Sequence, residues 1–294
     1  MRASCYIVCI IKLMILLMLY SQSFIKAMAQ TKRAIVIGLS SQLDCSWTKI
    51  NGDKDIPYVL KMLRRAHFSD ITILKNEQAT KSNIKNTLIY LCKKSQKGDV
   101  IYIHFSGHGQ QMVDINGDEN DGKDESWIPY DAYKRPCIKD MGEKHLSDDE
   151  ISGLLNNIRK RIGDSGKLLV VVDACHSGTA TWSINREDDV NRGTCELFNV
   201  IKPVGVTYRS KSLPKSWITI SACKDYQSNY ELRGKNVGKL TYALYNITLS
   251  NKRFTNNEFE TMLHTFFIEN AGRHNQTPVV NGLTSNVSIQ DILK

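Results

Sequence analysis

The sequence predicts an α/β fold with a mostly parallel central sheet and helices on both faces. Two runs carry this expectation, Val100-Ile101-Tyr102-Ile103-His104-Phe105 and Leu168-Leu169-Val170-Val171-Val172. Both are continuously apolar and rich in β-branched residues, the pattern of strands covered on two sides. A third observation is the alternation of such runs with segments of helical period, in the order β-α-β-α-β, β-α-β, β-α-α-β.

Arg33 to Ser40 reads as the first strand. Asp55 to Phe68 reads as a helix with Val59, Leu60 and Leu63 on one face and Pro57 in its first turn, where a missing N–H costs little. Ile71 to Leu74 is a second strand. Ser82 to Lys94 is a helix, since Ile84, Leu88, Leu91 and Cys92 recur at helical spacing. The run from Val100 is the third strand, and Ser126 to Tyr130 is a short one after an acidic loop. Ser147-Asp148-Asp149-Glu150 is a capping box that opens a helix with Ile151, Leu154, Leu155 and Ile158 inward. After the strand from Leu168, Thr179 to Ser216 is polar, basic and aperiodic, hence a long exposed loop. Trp217 to Ala222 is a fifth strand and Lys239 to Leu249 a helix. Thr255 to Glu258 is a second capping box, with Phe259, Met262, Leu263, Phe266 and Phe267 behind it. Gln276 to Asn281 closes the pattern as an edge strand that tolerates Pro278.

The 294 residues suffice for one large domain or two small ones. Residues 1–29 read as a signal peptide: a basic start at Arg2, an apolar stretch from Ile7 to Tyr20 broken by Lys12, and a small-x-small site at Ala27-Met28-Ala29. The stretch is short for a membrane span, so an exported product, periplasmic or secreted, is expected without stable anchoring. The net charge of +9 is spread without an aromatic-basic stripe, which argues against a nucleic-acid partner. Past the leader the cysteines are Cys45, Cys92, Cys137, Cys175, Cys195 and Cys223. None makes a C-x-x-C pair, which argues against zinc ribbons and thioredoxin-like centres. Cys45, Cys92 and Cys223 read as core or strand-end thiols.

The chemistry lies at the ends of two strands. Phe105-Ser106-Gly107-His108-Gly109 ends one and Asp173-Ala174-Cys175-His176-Ser177-Gly178 ends the other. In parallel sheets ligands bind outside the carboxyl ends of the strands, so a thiol and an imidazole share one rim. Cys175 is the candidate nucleophile and His108 its acid/base partner. Gly107 and Gly109 are expected to let the backbone turn His108 inward, whereas His176 alternates away from Cys175. The N–H groups of Gly109 and Cys175 are candidates for an oxyanion hole. Asp173, two residues before Cys175, points the same way on an extended chain and suits a Lys or Arg side chain of a substrate. Metal ligation at Cys175-His176 lacks further ligands at suitable spacing.

These segments resemble the metacaspases and bacterial caspase-like cysteine peptidases of the caspase-hemoglobinase fold. The likeness rests on Phe105 to Gln110, Asp124 to Asp131, Ser147 to Glu150 and Asp173 to Gly178, with Ile220 to Asp225 and Leu240 to Ala243 similar to small-subunit signatures. It implies a caspase-like three-layer sandwich over residues 30–294: a large-subunit-like part about 32–178, the loop 179–216, and a small-subunit-like part 217–294. It also implies a second pocket acid at the first strand-helix junction, matching Asp55 or Asp53, with Ser106 lining the same recess. Helix capping competes as a role for Asp55. A calcium site away from the catalytic pair maps onto Asp124, Asp148 and Asp149, with Trp182 where a fourth acid is expected and Asp188 or Asp189 as substitutes. An EF-hand starting at Asp114 fails in register, since Glu119 stands at the glycine position.

The expected activity is thus cysteine-type endopeptidase cleavage of peptides and proteins after Arg or Lys, without an organic cofactor and with calcium as an activator. Arg186, Arg192, Lys202, Arg209, Lys211 and Lys215 make the long loop a self-cleavage candidate. The rival is a catalytically silent caspase-fold module that binds peptides or acts as a scaffold.

Overall fold

The structure is a computed structural model that describes residues 11–15, 30–114, 117, 119, 121–175, 189–200, 216–250, 252–272, 275–284 and 287–294. Two units separate, Met1–Thr31 and Lys32–Lys294. In the first, residues 11–15 are helical and exposed. No helix among the described residues is long and apolar enough to cross a membrane.

The second unit is built on a six-stranded sheet. Its strands are β1 (Lys32–Gly38), β2 (Asp70–Lys75), β3 (Val100–Ser106), β7 (Lys167–Asp173), β8 (Ile218–Ser221) and β11 (Val279–Asn281), in the order β11-β8-β7-β3-β1-β2. All neighbours are parallel except β11, which pairs antiparallel to β8 at the edge. Short antiparallel pieces lie outside it: β4 (Gly109–Val113), β5 (Lys123–Trp127) and β6 (Leu146–Ser147) form one, β9 (Glu231–Leu232) and β10 (Val237–Gly238) another.

Strand alternation divides the core into two layers. Ala34, Val36, Tyr102, Leu169, Val171 and Ile220 face helices α1 (Gly52–Arg65), α4 (Lys239–Leu249), α5 (Asn256–Glu269) and α6 (Ile289–Leu293). Ile35, Ile37, Ile101, Ile103, Phe105 and Val170 face α2 (Lys81–Lys94) and α3 (Asp148–Ile162). β3 is buried along its whole length, as its unbroken apolar run requires of a strand with helices on both sides. The three-layer α/β sandwich read from the sequence is the fold observed.

Several local readings change. α1 begins at Gly52, so Pro57 sits inside the helix and removes a backbone donor there. The Asn51 side chain makes no cap hydrogen bond, and neither Asp53 nor Asp55 is the cap residue. Ser147 caps α3 by accepting from the Glu150 N–H. The Glu150 carboxylate instead pairs with Lys81 at 2.5 Å and Lys85 at 2.8 Å, which leaves the box half made. At α5 the reciprocal Thr255–Glu258 box is complete. None of the six described cysteines is in a disulfide; Cys45 is exposed rather than in the core, and Cys223 is buried.

Candidate active site

β3 and β7 are adjacent and in register, with Ser106 opposite Asp173. The residues just beyond, His108 and Cys175, therefore leave neighbouring strands at the same rim. Neither Gly107 nor Gly109 has a positive φ, so left-handed backbone is not what turns His108. Gly107 is needed for space instead: a Cβ there would stand 2.9 Å from Cζ of Phe105.

His108 is buried, and its ring stacks on Trp47 with centroids 4.8 Å apart. Nε2 lies 2.7 Å from the Thr48 carbonyl oxygen. A carbonyl can only accept, so the proton is assigned to Nε2 and Nδ1 carries the lone pair. Nδ1 is buried with no hydrogen-bond partner. Burial lowers the imidazole to about 4, the contact to Thr48 opposes this, and the charges of Arg192 and Lys134 add to it. At neutral pH the ring is uncharged and Nδ1 can accept a proton.

Cys175 is buried, and its thiol donates to the Gln227 carbonyl at 3.2 Å. Cys223 lies beside it; the hydrogen bond with Cys175, followed by burial, pushes the Cys223 thiol well above its ordinary value. The amide of Cys175 donates to the Arg192 carbonyl at 2.9 Å, and the amide of Gly109 donates to the same oxygen at 3.3 Å. Two N–H groups converging on one carbonyl is the geometry of an oxyanion hole.

The Arg192 side chain fills the recess next to this hole and is fully buried. Its Nη1 lies 2.6 Å from Oδ2 of Asp55, 2.6 Å from Ser106 Oγ and 3.5 Å from Oδ1 of Asp173. Nη2 lies 3.2 Å from the other Asp55 oxygen. Nε and Nη2 both donate to Oε1 of Glu231 at 3.1 Å. Ser106 Oγ donates to Asp55. Asp55 also accepts from the Gly238 N–H at 2.8 Å. Asp173 is braced by Asn229 Nδ2 at 2.8 Å and by the amide and hydroxyl of Thr241 at 2.8 and 2.7 Å. Burial opposes the charge of Arg192, yet Asp55, Asp173 and Glu231 outweigh it and raise the guanidinium further. Burial also opposes the ionised form of Asp173, but Arg192, Asn229 and Thr241 hold its carboxyl below its ordinary value. Asp55 is raised, by burial first and by Asp173 in spite of Arg192.

The backbone around Arg192 is paired on both sides. The Arg192 amide donates to the Asn229 carbonyl at 2.9 Å, and the Glu231 amide to the Val190 carbonyl at 3.0 Å. Asn191 bridges Tyr230 antiparallel, and Gly193 bridges Gly109 in parallel. Residues 190–193 thus lie across the rim as a peptide strand, with an arginine in the acidic recess and the following bond beside Cys175. This corrects the expectation of an exposed loop here. His176, Trp182, Asp188 and the other loop cations Arg186, Lys202, Arg209, Lys211 and Lys215 lie outside the described residues.

Asp53 does not join the recess. It accepts from Ser40 Oγ and pairs with Lys75 at 3.2 Å. Two residues apart on a helix means about 200° of rotation, so Asp53 and Asp55 face opposite ways. Glu231, Asn229, Thr241 and the Trp47–Thr48 support of His108 carried no periodic signal that marks them as site residues.

Asp124 lies on β5, and Asp148 and Asp149 open α3. The pairing of Ser126 with Ser147 brings these segments side by side. Burial, then Asp148, Asp225, Glu119 and Asp121, raise the carboxyl of Glu125 to about 7. The donors are hard oxygens of the kind calcium takes. Among the described residues, however, no group of three or more His, Cys, Asp or Glu is arranged to hold a metal. Asp114 is used locally, accepting from the Gly117 and Glu119 amides at 2.6 and 3.2 Å, and Asp189 pairs with Arg233 at 3.1 Å.

A thiol, an uncharged imidazole, two converging amides and an acidic recess thus meet at one rim of the α/β sheet. A sequence model for the metacaspase peptidase C14 domain matches residues 32–182, and the chain belongs to that family. It is 28% identical over 253 residues to metacaspase-1B of Aspergillus fumigatus, covering 71% of this chain and 58% of that protein. It is 35% identical over 158 residues to metacaspase-2 of Arabidopsis thaliana, covering 50% of this chain and 35% of that protein. The chain thus spans about half the length of the curated relatives it matches. Among solved structures, a Geobacter sulfurreducens protein superposes with a TM-score of 0.63 at 23% identity, covering 90% of this chain and 97% of that one. Caspase-1 from Spodoptera frugiperda superposes at 0.54 with 11% identity, covering 87% and 88%. These two likenesses are of fold.

Proposed function

We propose that this chain is an exported cysteine endopeptidase that cleaves peptides and proteins after Arg or Lys, and that it cuts itself between Arg192 and Gly193. One observation carries the reading: Arg192 has its guanidinium among Asp55, Ser106, Asp173 and Glu231 while its carbonyl accepts from Gly109 and Cys175. A substrate arginine has the same needs, a desolvated anionic recess for the side chain and donors for the carbonyl.

In the reaction His108 Nδ1 takes the thiol proton of Cys175, and the sulfur attacks the carbonyl carbon of the arginine residue. The oxyanion forms against the amides of Gly109 and Cys175. His108 then gives its proton to the leaving amine, the C–N bond breaks, and water hydrolyses the thioester. Calcium is proposed as an activator with Asp124, Asp148 and Asp149 as its ligands, which must draw closer together than they stand here to hold the ion. The basic start, the apolar stretch and the Ala27-Met28-Ala29 pattern within residues 1–29 support export to the periplasm or the medium.

The test is to incubate purified protein with Arg-, Lys- and Asp-ended fluorogenic peptides, and to follow its own cleavage by mass spectrometry. Arg- and Lys-ended peptides should turn over, Asp-ended ones should not, and a new N-terminus at Gly193 should appear. Cys175→Ala should stop both processes. An intact chain that neither hydrolyses peptides nor is labelled at Cys175 by a thiol-reactive Arg peptide would instead identify a silent binding module.

A further inference from the structure

Glu231 stands apart from the other recess acids. Asp55, Ser106 and Asp173 meet the Nη end of Arg192, whereas Glu231 accepts from Nε and Nη2, each at 3.1 Å. Glu231 is itself fixed from behind: the amide and Nδ2 of Asn51 donate to its two oxygens, both at 2.6 Å. Its side chain is 5% exposed, so the contact with the guanidinium is desolvated. With Asp55, it engages every nitrogen of the guanidinium.

A lysine cannot reproduce this. It has carbon where arginine has Nε, so no donor stands at the flank facing Glu231. Its Nζ takes the place of the guanidinium carbon and ends one bond short of the Asp55 and Ser106 atoms. In a lysine complex Glu231 would lose the paired Nε and Nη2 donors and face a single, more distant Nζ beside Asn51.

We propose that Glu231 is the specificity-determining residue that makes this recess prefer arginine over lysine. The proposal rests on the reading of the site as a peptidase that accepts basic residues. A charge-assisted hydrogen bond to a buried group corresponds to roughly a 10- to 100-fold preference in kcat/KM for Arg- over Lys-ended peptides. Glu231→Gln keeps the size of the side chain, and a flip of the Asn51 amide can meet the new NH2. This variant should lower the Arg-to-Lys ratio about tenfold or more, with the loss falling on the arginine substrate. A purely structural role would slow both substrates equally and leave the ratio unchanged, and that result overturns the proposal.

A second measurement needs no turnover. In a Cys175→Ala background, Arg192→Lys should lower Tm by roughly 3–8 °C when Glu231 is present and by clearly less in the Glu231→Gln chain. Additive losses overturn the assignment of Glu231. If the Tm effects couple but no peptide is hydrolysed, the recess selects arginine as assigned and it is the peptidase reading that fails.

Discussion

Replacing Arg192 by alanine tests the central geometry directly. The guanidinium is fully buried and is shared by Asp55, Asp173 and Glu231. Its removal leaves three buried carboxylates facing an empty recess. Removing one partner of a buried ion pair costs about 3–5 kcal/mol. At roughly 2–4 °C per kcal/mol for a domain of this size, Tm should fall by about 6–20 °C. The comparison is made between Cys175→Ala and Cys175→Ala/Arg192→Ala, so that self-cleavage does not enter. The loss also has a pH signature. Asp55 is already raised by burial and by Asp173, with Arg192 opposing, so losing Arg192 raises it further. A carboxyl with a folded pKa above its unfolded value binds more protons when folded, so its stability contribution falls as pH rises through that interval. The penalty of Arg192→Ala should therefore be larger at pH 8 than at pH 5. Millimolar guanidinium compounds such as agmatine should return part of the lost Tm by entering the recess. A variant within 2 °C of its parent at both pH values, unaffected by agmatine, would refute the placement of Arg192 among these acids.

Gly193→Ala should slow self-cleavage by about 10- to 100-fold, since overpacking costs about 1–3 kcal/mol and a Cβ there would stand 2.5 Å from the Cys175 carbonyl oxygen and 2.8 Å from its Cβ; gel densitometry checks this, and an unchanged rate rejects the seating of residues 190–193. His104 and His108 are each lowered from 6.5 to about 4, burial being the first cause. The unfolded chain then binds more protons between those values, so stability is full above pH 6.5 and is lost on acidification toward pH 4, by about 3 kcal/mol per histidine. Urea denaturation at pH 7 and pH 4.5 measures it, and a flat profile disproves it. Calcium titration of Arg-peptide hydrolysis should raise turnover in the wild type and leave Asp148→Asn unresponsive; an equal response in both removes Asp148 from the proposed site.

Periodicity and strand-end motifs were enough for the sheet, the main helices and the rim on which Cys175 and His108 sit. These are local properties: an apolar run long enough to be a strand announces itself, and so does a thiol in the turn that ends it. Asp173 was legible too, because alternation along a strand relates it to Cys175. Asp55 came only from family likeness, and the 200° between it and Asp53 on α1 separates a recess acid from one that braces Lys75. The start of α1 and the half-made box at α3 were misread because neighbours from elsewhere in the chain claim the capping groups, as Lys81 and Lys85 claim Glu150. Only the tertiary structure decided that Arg192, in a basic aperiodic stretch, lies across the rim between Asn191, bridged to Tyr230, and Gly193, bridged to Gly109, and that Glu231 meets its flank. The recess is assembled from the start of α1, the ends of β3 and β7, β9 and the start of α4. Charge complementarity between segments so far apart leaves no trace in local pattern, because it exists only once the sheet has brought them together.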